Sequence, residues 1–135
     1  MKKYIFFGLL GILAVAYSCT KQTAGDAAMK YAECLQKGNY AEFVKGIQFN
    51  PSYSEATTDS MRMEIQSVYE EKVAKEYAAA GGIKDIAILN ESTNADNKHA
   101  EVTLQFTYGN DSTSEEVMHM VRCDDKKWRL DMEIK

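Results

Sequence analysis

The chain has 135 residues, of which 45% are hydrophobic and 27% charged. This balance is typical of one small folded domain, and it excludes a disordered chain and a chain of two ordinary domains. Sixteen basic and twenty acidic side chains give a net charge of −4, without a basic cluster, which argues against a nucleic-acid-binding protein.

The N-terminal segment has the features of a bacterial export signal. Lys2 and Lys3 precede an unbroken apolar run from Ile5 to Ala16, which is too short to span a bilayer as a helix, since that needs about 20 residues. Small residues then lead into Cys19, and this arrangement resembles the bacterial lipobox. There the cysteine thiol takes a diacylglyceryl group, cleavage exposes its amine, and the amine is usually acylated. We therefore predict a lipoprotein with signal peptide 1–18; an ordinary secretory signal with an incidental cysteine is the alternative.

The residues after the cysteine are short, polar and turn-prone, and they predict a tether over residues 19–25 ahead of a domain over 26–135. More than one acyl chain is enough for stable anchoring, so the membrane is the first predicted partner. No aspartate follows Cys19 directly and no acidic run follows it. By resemblance to lipoprotein sorting signals, this predicts the cell envelope, at the outer membrane facing the periplasm.

Three helices are predicted in the first part of the domain. Asp26 is the predicted cap of a helix over 27–37, whose inner face carries Ala28, Tyr31, Cys34 and Leu35. Gly38 ends that helix, and the spacing of Asn39 and Glu42 predicts a capping box for a second helix, Tyr40 to Gly46.

The third predicted helix is the longest one. After a loop over 48–57, Asp59 is its predicted cap, and it extends from Ser60 to Ala80 before Gly81 and Gly82 end it. Its apolar stripe consists of Met61, Ile65, Val68, Tyr69, Val73 and Tyr77.

From Ile83 onward the hydrophobic period changes from 3.6 to 2, which predicts strands. They are Ile83–Glu91, His99–Tyr108, Ser114–Cys123 and a last strand in which Trp128, Leu130, Met132 and Ile134 share the core face. Short connections make neighbouring strands antiparallel. Helices followed by strands predict an α+β fold, with three helices on one face of a mostly antiparallel, four-stranded sheet.

The strand Ser114–Cys123 can place either of two residue sets in the core. Val117, His119, Val121 and Cys123 are predicted inward, because charges bracket the other set. Met118 and Met120 then lie on the outer face, where they could form an interface for a homodimer or an envelope partner.

A pocket is predicted under the helices, and it is the candidate site for catalysis or ligand binding. His119 is the candidate, with Tyr31, Tyr69, Tyr77 and Tyr108 as further pocket-lining residues. A histidine there could act as a general base, or it could simply have its nitrogens satisfied by a neighbour. We assign no catalytic residue and no cofactor. The sequence has no CxxC and no HExxH pattern, so no metal site is predicted.

Two cysteines remain beside Cys19. An exported protein can form a disulfide, so Cys34 and Cys123 could be bridged. Two separate buried thiols acting as small hydrophobes are the other interpretation. Spacing alone leaves both open.

Two segments carry a family resemblance, GDAAMKYAECLQKGNYAEFVKGI near the start of the domain and KKWRLDMEI at its end. Together with the long third helix, they resemble the nuclear transport factor 2-like superfamily, which has a cystatin-like fold. The nearest resemblance is to the small bacterial lipoproteins of domain of unknown function 4878. It implies three helices packed into a strongly bent sheet, as a cone with a pocket inside.

The resemblance leaves the function open, because the superfamily includes ketosteroid isomerases, dehydratases and polyketide cyclases as well as proteins that only bind ligands or proteins. We predict a membrane-anchored, non-enzymatic module of the cell envelope that binds a small apolar ligand or a protein. The alternative is a small-molecule enzyme of the isomerase, dehydratase or cyclase type that uses a pocket histidine.

Overall fold

The structure, a computed structural model, describes residues 22–132. The signal peptide, Cys19 and Ile134 lie outside the described residues. The elements in chain order are helices α1 (Ala24–Lys37) and α2 (Tyr40–Lys45), strand β1 (Ile47–Gln48), helix α3 (Glu55–Val68), a π-helical turn (Tyr69–Val73), helix α4 (Ala74–Ala79), and strands β2 (Ile83–Thr93), β3 (His99–Tyr108), β4 (Thr113–Arg122) and β5 (Trp128–Asp131). We call α3, the π-helical turn and α4 together the long helix.

The fold is α+β as predicted, but the described sheet has five strands and is mixed. Its order is β1-β5-β4-β3-β2. The additional strand β1 pairs in parallel with β5, where Ile47 lies opposite Leu130. The predicted loop 48–57 missed this strand, because two residues carry no periodicity and their partner is about eighty residues away in the chain.

Two helices begin earlier than predicted. Thr23 caps α1, since its hydroxyl accepts from the Asp26 N–H and the Asp26 carboxylate accepts from the Thr23 N–H. Asp26 is therefore not the cap but the third helical residue, three positions after the cap Thr23, and it completes a capping box. In the same way, Ser54 caps α3 in place of Asp59. The capping box predicted for α2 is absent, because the Asn39 side chain makes no capping hydrogen bond.

The largest correction concerns β4, whose two faces are the reverse of those predicted. The β3–β4 hairpin has a three-residue loop, in which Asp111 adopts a left-handed conformation (φ 70°) and the Tyr108 N–H donates to the Ser112 carbonyl. This register pairs Val102 with Met118 and Ala100 with Met120. A loop of one residue more would shift the pairing by one and exchange every side chain of β4 between the faces.

The core lies between α1 and the inner face of the sheet. The buried face of α1 consists of small residues, so the helix lies close to the strands; these residues are Ala24, Gly25, Ala27, Ala28 and Ala32. Trp128 on β5 is 6% exposed, as predicted, and its backbone N–H donates to the Gln22 side chain at 3.1 Å. Every described helix, strand and core residue lies between Ala24 and Asp131, so the chain from Gln22 onward contains all of the described elements.

The long helix is fixed to the rest of the domain near both of its ends. Near its start, the Arg62 guanidinium donates to the carbonyl oxygens of Val44 (3.0 Å) and Ile47 (2.8 Å). At its end, backbone hydrogen bonds join the segment after α4 to the β3–β4 loop, from Gly109 N–H to the Gly82 carbonyl and from Asn110 N–H to the Ala80 carbonyl, both 2.9 Å. Between these anchors, the long helix has no fully buried residue, and only its half-buried side chains pack against the core. Among the described helices, none has the length and apolar character needed to cross a membrane.

Candidate functional site

A half-open cavity of about 260 Å³ lies between the long helix and the sheet. Its walls come from α1, α2, β1, the long helix, β3, β4 and the end of β5, so nearly every element contributes to it. Most of its lining is apolar or aromatic, and the lining residues are Leu35, Phe43, Ile47, Ile65, Tyr69, Tyr77, Phe106, Glu116, Val117, Met118, His119, Leu130, Asp131 and Met132.

Aromatic rings hold the long helix at the cavity walls. The ring of Tyr69 packs against that of Phe43 on α2, with centroids 5.1 Å apart. Eight residues further along the helix, the centroid of the Tyr77 ring lies 6.5 Å from that of Phe106 and 6.1 Å from that of Tyr108, both on β3. Both tyrosines of the long helix line the cavity, as the sequence predicted for them.

The π-helical turn brings these two tyrosines to the same side of the helix. They are eight residues apart, and at about 100° per residue an uninterrupted α-helix would place them roughly 80° out of line. A π-helical turn holds more residues per turn than an α-helical turn, so it removes most of that offset. The turn covers Tyr69–Val73, directly at the cavity, where such turns are often found in functional sites.

The cavity tyrosines remain protonated at neutral pH. Burial is the main cause that raises the pKa of Tyr69 and, more strongly, of Tyr77. The carboxylate of Glu116 adds to this effect on both hydroxyls. They can therefore donate hydrogen bonds to a ligand, and neither can serve as a base near pH 7.

The sequence prediction missed Glu116, the carboxylate of the inner face of β4. Glu116 lies opposite Leu104, a fully buried residue of β3, and borders the cavity. One carboxylate oxygen accepts from the Ser114 hydroxyl at 3.2 Å, and that hydroxyl shares a 2.8 Å hydrogen bond with the Tyr108 hydroxyl. The signal that could have found Glu116 is the length of the hairpin loop, which sets the faces of β4.

His119 lies on the face of β4 opposite to the predicted one. Its ring lies on the outer face of the sheet, where Nδ1 is 3.6 Å from a carboxylate oxygen of Glu101 on β3. The residue nevertheless contributes to the cavity lining, as do Asp131 and Met132 at the end of β5. Its predicted place under the helices, on which the possible role as a base depended, rested on the reversed faces.

The two remaining tyrosines of the predicted set do not line the cavity. The hydroxyl of Tyr31 on α1 donates to the Trp128 carbonyl at 3.2 Å, and its ring occupies the space that a β-carbon at Gly46 would need. Tyr108 lies behind Tyr77, buried to 9% exposure. Both residues support the walls of the cavity from outside.

Met118 and Met120 are buried, at 8% and 1% exposure, so the predicted outer-face interface is wrong. Val117 is the exposed residue of that strand, at 51%. The cause is again the three-residue hairpin loop, which turns the methionines toward the core.

Cys34 and Cys123 are both half-buried free thiols in the structure. The Cys123 thiol lies 3.5 Å from the side-chain oxygen of Gln48, to which it donates. Within residues 22–132, no three His, Cys, Asp or Glu side chains are grouped so that they could hold a metal ion.

Comparison with known proteins bears on the fold. No protein-family model matches the sequence, and no curated protein shows a significant sequence match. The 2.00 Å crystal structure of a Campylobacter jejuni protein with the provisional name NTF2-like transpeptidase aligns with a TM-score of 0.70 at 21% identity, over 82% of this chain and 99% of that one. The intermembrane space region of the chloroplast protein ARC6 aligns over 82% of this chain and 94% of that one, with a TM-score of 0.42 at 12% identity, too low to support an argument. The chain therefore has the nuclear transport factor 2-like fold that the resemblance predicted.

Proposed function

We propose that this chain is a lipid-anchored protein of the cell envelope whose domain binds a small apolar ligand in the cavity under the long helix, without catalysing a reaction. The observation that carries the proposal is the cavity itself. A helix held at two anchors, with no fully buried residue between them, leaves space that the packed side chains do not fill. Proteins of this size normally close such space, because interiors pack at the density of organic crystals.

The composition of the lining supports ligand binding. Binding sites for small molecules are concave and mostly apolar, with a few polar groups that fix orientation. Here the rings of Phe43, Tyr69 and Phe106 supply apolar surface, and the hydroxyls of Tyr69 and Tyr77 supply donors. At about 260 Å³, the cavity lies near the lower end of the size range of such sites, so the ligand is small.

Catalysis by a histidine is not part of the proposal. His119 contributes to the cavity lining, but its Nδ1 lies 3.6 Å from the Glu101 carboxylate on the outer face of the sheet. General acid–base catalysis requires the group within hydrogen-bond reach of the reacting atom.

The binding proposal is tested with 1-octanol, a small neutral amphiphile, and the chain Gln22–Lys135. Titration followed by backbone amide NMR should give saturable shifts along the long helix and β4, with a Kd on the order of 1 mM or tighter for a ligand of this size. Ile65→Trp fills the cavity from a half-buried position and should weaken binding at least about tenfold, which corresponds to about 1.4 kcal/mol. Val68→Trp adds a large side chain at an exposed position of the same helix and should leave binding unchanged. Equal binding by both variants would place the octanol elsewhere and refute the proposal.

The envelope part of the proposal places this chain among the lipoproteins of domain of unknown function 4878, anchored through Cys19 at the outer membrane and facing the periplasm. The support is the sequence of the N-terminal segment, with an apolar run that ends in small residues before the cysteine. Metabolic labelling with an alkyne palmitate should mark the full-length chain and leave Cys19→Ser unmarked. Equal labelling of the two would overturn the lipid anchor. Membrane fractionation then distinguishes the outer from the inner membrane.

A further inference from the structure

The charged groups that line the cavity are all acidic, apart from His119. Two carboxylates, Glu116 and Asp131, contribute to the lining, and no lysine or arginine does. A ligand that enters therefore meets negative charge beside an apolar interior, which disfavours an anionic ligand and favours a cationic one.

Glu116 is the carboxylate of the cavity lining that lies near its tyrosines. It is exposed at the open side of the cavity, and its carboxylate is oriented by the Ser114 hydroxyl at 3.2 Å. It lies near enough to the hydroxyls of Tyr69 and Tyr77 to act on both electrostatically. One carboxylate and two aromatic rings thus surround the same part of the cavity.

No basic side chain of the described part of the chain neutralises Glu116. The nearest arginine of the long helix, Arg62, is committed to the Val44 and Ile47 carbonyls, and Lys84 pairs with Asp111 at 2.7 Å. Within residues 22–132, none of the ion pairs includes Glu116. Its charge is available to a ligand.

The aromatic rings around the cavity also favour a cationic ligand. Tyrosine and phenylalanine faces attract cations that lie within about 6 Å of the ring centre, and quaternary ammonium groups are typically bound in this way. Phe43, Tyr69, Tyr77 and Phe106 all line the cavity, and the two tyrosines adjoin Glu116.

Resting on the ligand-binding function proposed above, we infer that the cavity selects an amphiphile with a cationic amine or quaternary ammonium head and a short apolar tail. The head lies between the Glu116 carboxylate and the rings of Tyr69 and Tyr77, and the tail extends toward Phe106 and Leu130. Glu116 is the residue that determines this specificity.

The test compares three probes with the same tail, octyltrimethylammonium, 1-octanol and octanoate, each titrated into the chain Gln22–Lys135. The cation should bind about five- to tenfold more tightly than octanol, the range expected for a partly exposed ion pair together with a cation–π contact, and octanoate should bind most weakly. Added salt should reduce the difference between the cation and octanol, because the carboxylate is exposed.

Two variants assign the preference to a residue. Glu116→Gln should bring the Kd of the cation to within about twofold of the Kd of octanol, both measured on that variant. Glu115→Gln is the matched control, since it removes the same charge from the next residue, which pairs with Gln105 on the outer face. It should keep the full preference. Thermal unfolding of both variants shows that each remains folded.

The outcomes separate the two proposals. If octanol binds and the cation gains nothing over it, or if Glu115→Gln and Glu116→Gln have equal effects, the cation inference is wrong and the apolar cavity stands. If octanoate binds most tightly, the inference is wrong in sign. If none of the three probes binds, the proposed function fails, and this inference fails with it.

Discussion

Two hydrogen bonds from Arg62 hold the start of the long helix. The free energy of unfolding that is lost when they are removed can be predicted. Nε donates to the Val44 carbonyl and Nη2 to the Ile47 carbonyl, and the guanidinium lies 5.0 Å from the centre of the Phe49 ring. In Arg62→Met, the aliphatic part of the side chain is largely retained and these polar contacts are lost.

Hydrogen bonds from a charged donor contribute about 1.5–3 kcal/mol each when well buried. The Arg62 side chain is 29% exposed, so the lower part of this range applies. Two such bonds and a weak cation–π contact give a loss of about 2–4 kcal/mol, a large share of the 5–15 kcal/mol that stabilises a typical domain. With a denaturant slope of about 2 kcal/mol per M, the midpoint of urea unfolding should fall by about 1–2 M.

The assay is equilibrium urea unfolding of the chain Gln22–Lys135, followed by tryptophan fluorescence. Arg122→Met is the control, because Arg122 is exposed at the end of β4 and its loss should change the midpoint by no more than about 0.2 M. Arg62→Met should also weaken octanol binding, since the helix that covers the cavity loses one anchor. Equal midpoints for Arg62→Met and Arg122→Met would refute the reasoning that these bonds hold the long helix.

Four further outcomes follow from burial, backbone conformation and charge. Trp128→Ala should cost about 3–5 kcal/mol, because this side chain is buried in the core; since Trp128 is the only tryptophan, its urea unfolding is followed by far-UV circular dichroism. Met120→Lys should cost about 3 kcal/mol or more in that assay, whereas His119→Lys on the outer face should be tolerated, and the reverse result would restore the predicted faces. Lys126→Gly should raise the free energy of unfolding by about 1 kcal/mol, because residue 126 has a φ of 67°, a conformation that favours glycine. The paired arginine of β5 lowers the pKa of Asp125 from 3.8 to about 2, so its stabilising effect is fully present above pH 4 and is lost as the pH falls through 2; Asp125→Asn should therefore lower the melting temperature at pH 7 and have a much smaller effect at pH 2.

The sequence was sufficient for features that depend on local periodicity. The change from a period of 3.6 to 2 at Ile83 located the boundary between helices and sheet, and the alternation in β3 identified its buried face. Gly38 ends α1 in a left-handed conformation, as its position predicted. These signals act over a few residues, and a single sequence contains them in full.

The features that were missed depend on pairing between distant segments or on a change of one residue in a loop. The strand Ile47–Gln48 exists only because β5 lies beside it. The faces of β4 follow from a three-residue hairpin loop, and the residues around Asp111 allow loops of three or four residues equally well. Glu116 and Met118 share one face of this strand, and His119 lies on the other. The same uncertainty of one residue therefore removed the cavity carboxylate from the predicted site and placed a histidine there.

The hydrogen bond between the Gln22 side chain and the Trp128 backbone has a consequence for how the domain stands on a membrane. Gln22 lies three residues after Cys19, a span of at most about 11 Å. With Cys19 acylated, as we propose, the end of the sheet where Arg122 pairs with Trp128 lies close to the lipid headgroups. Glu116 is six residues back along β4, about 20 Å farther along the strand. If β4 extends away from the bilayer, the Glu116 side of the cavity faces the aqueous compartment, and a ligand reaches it through water.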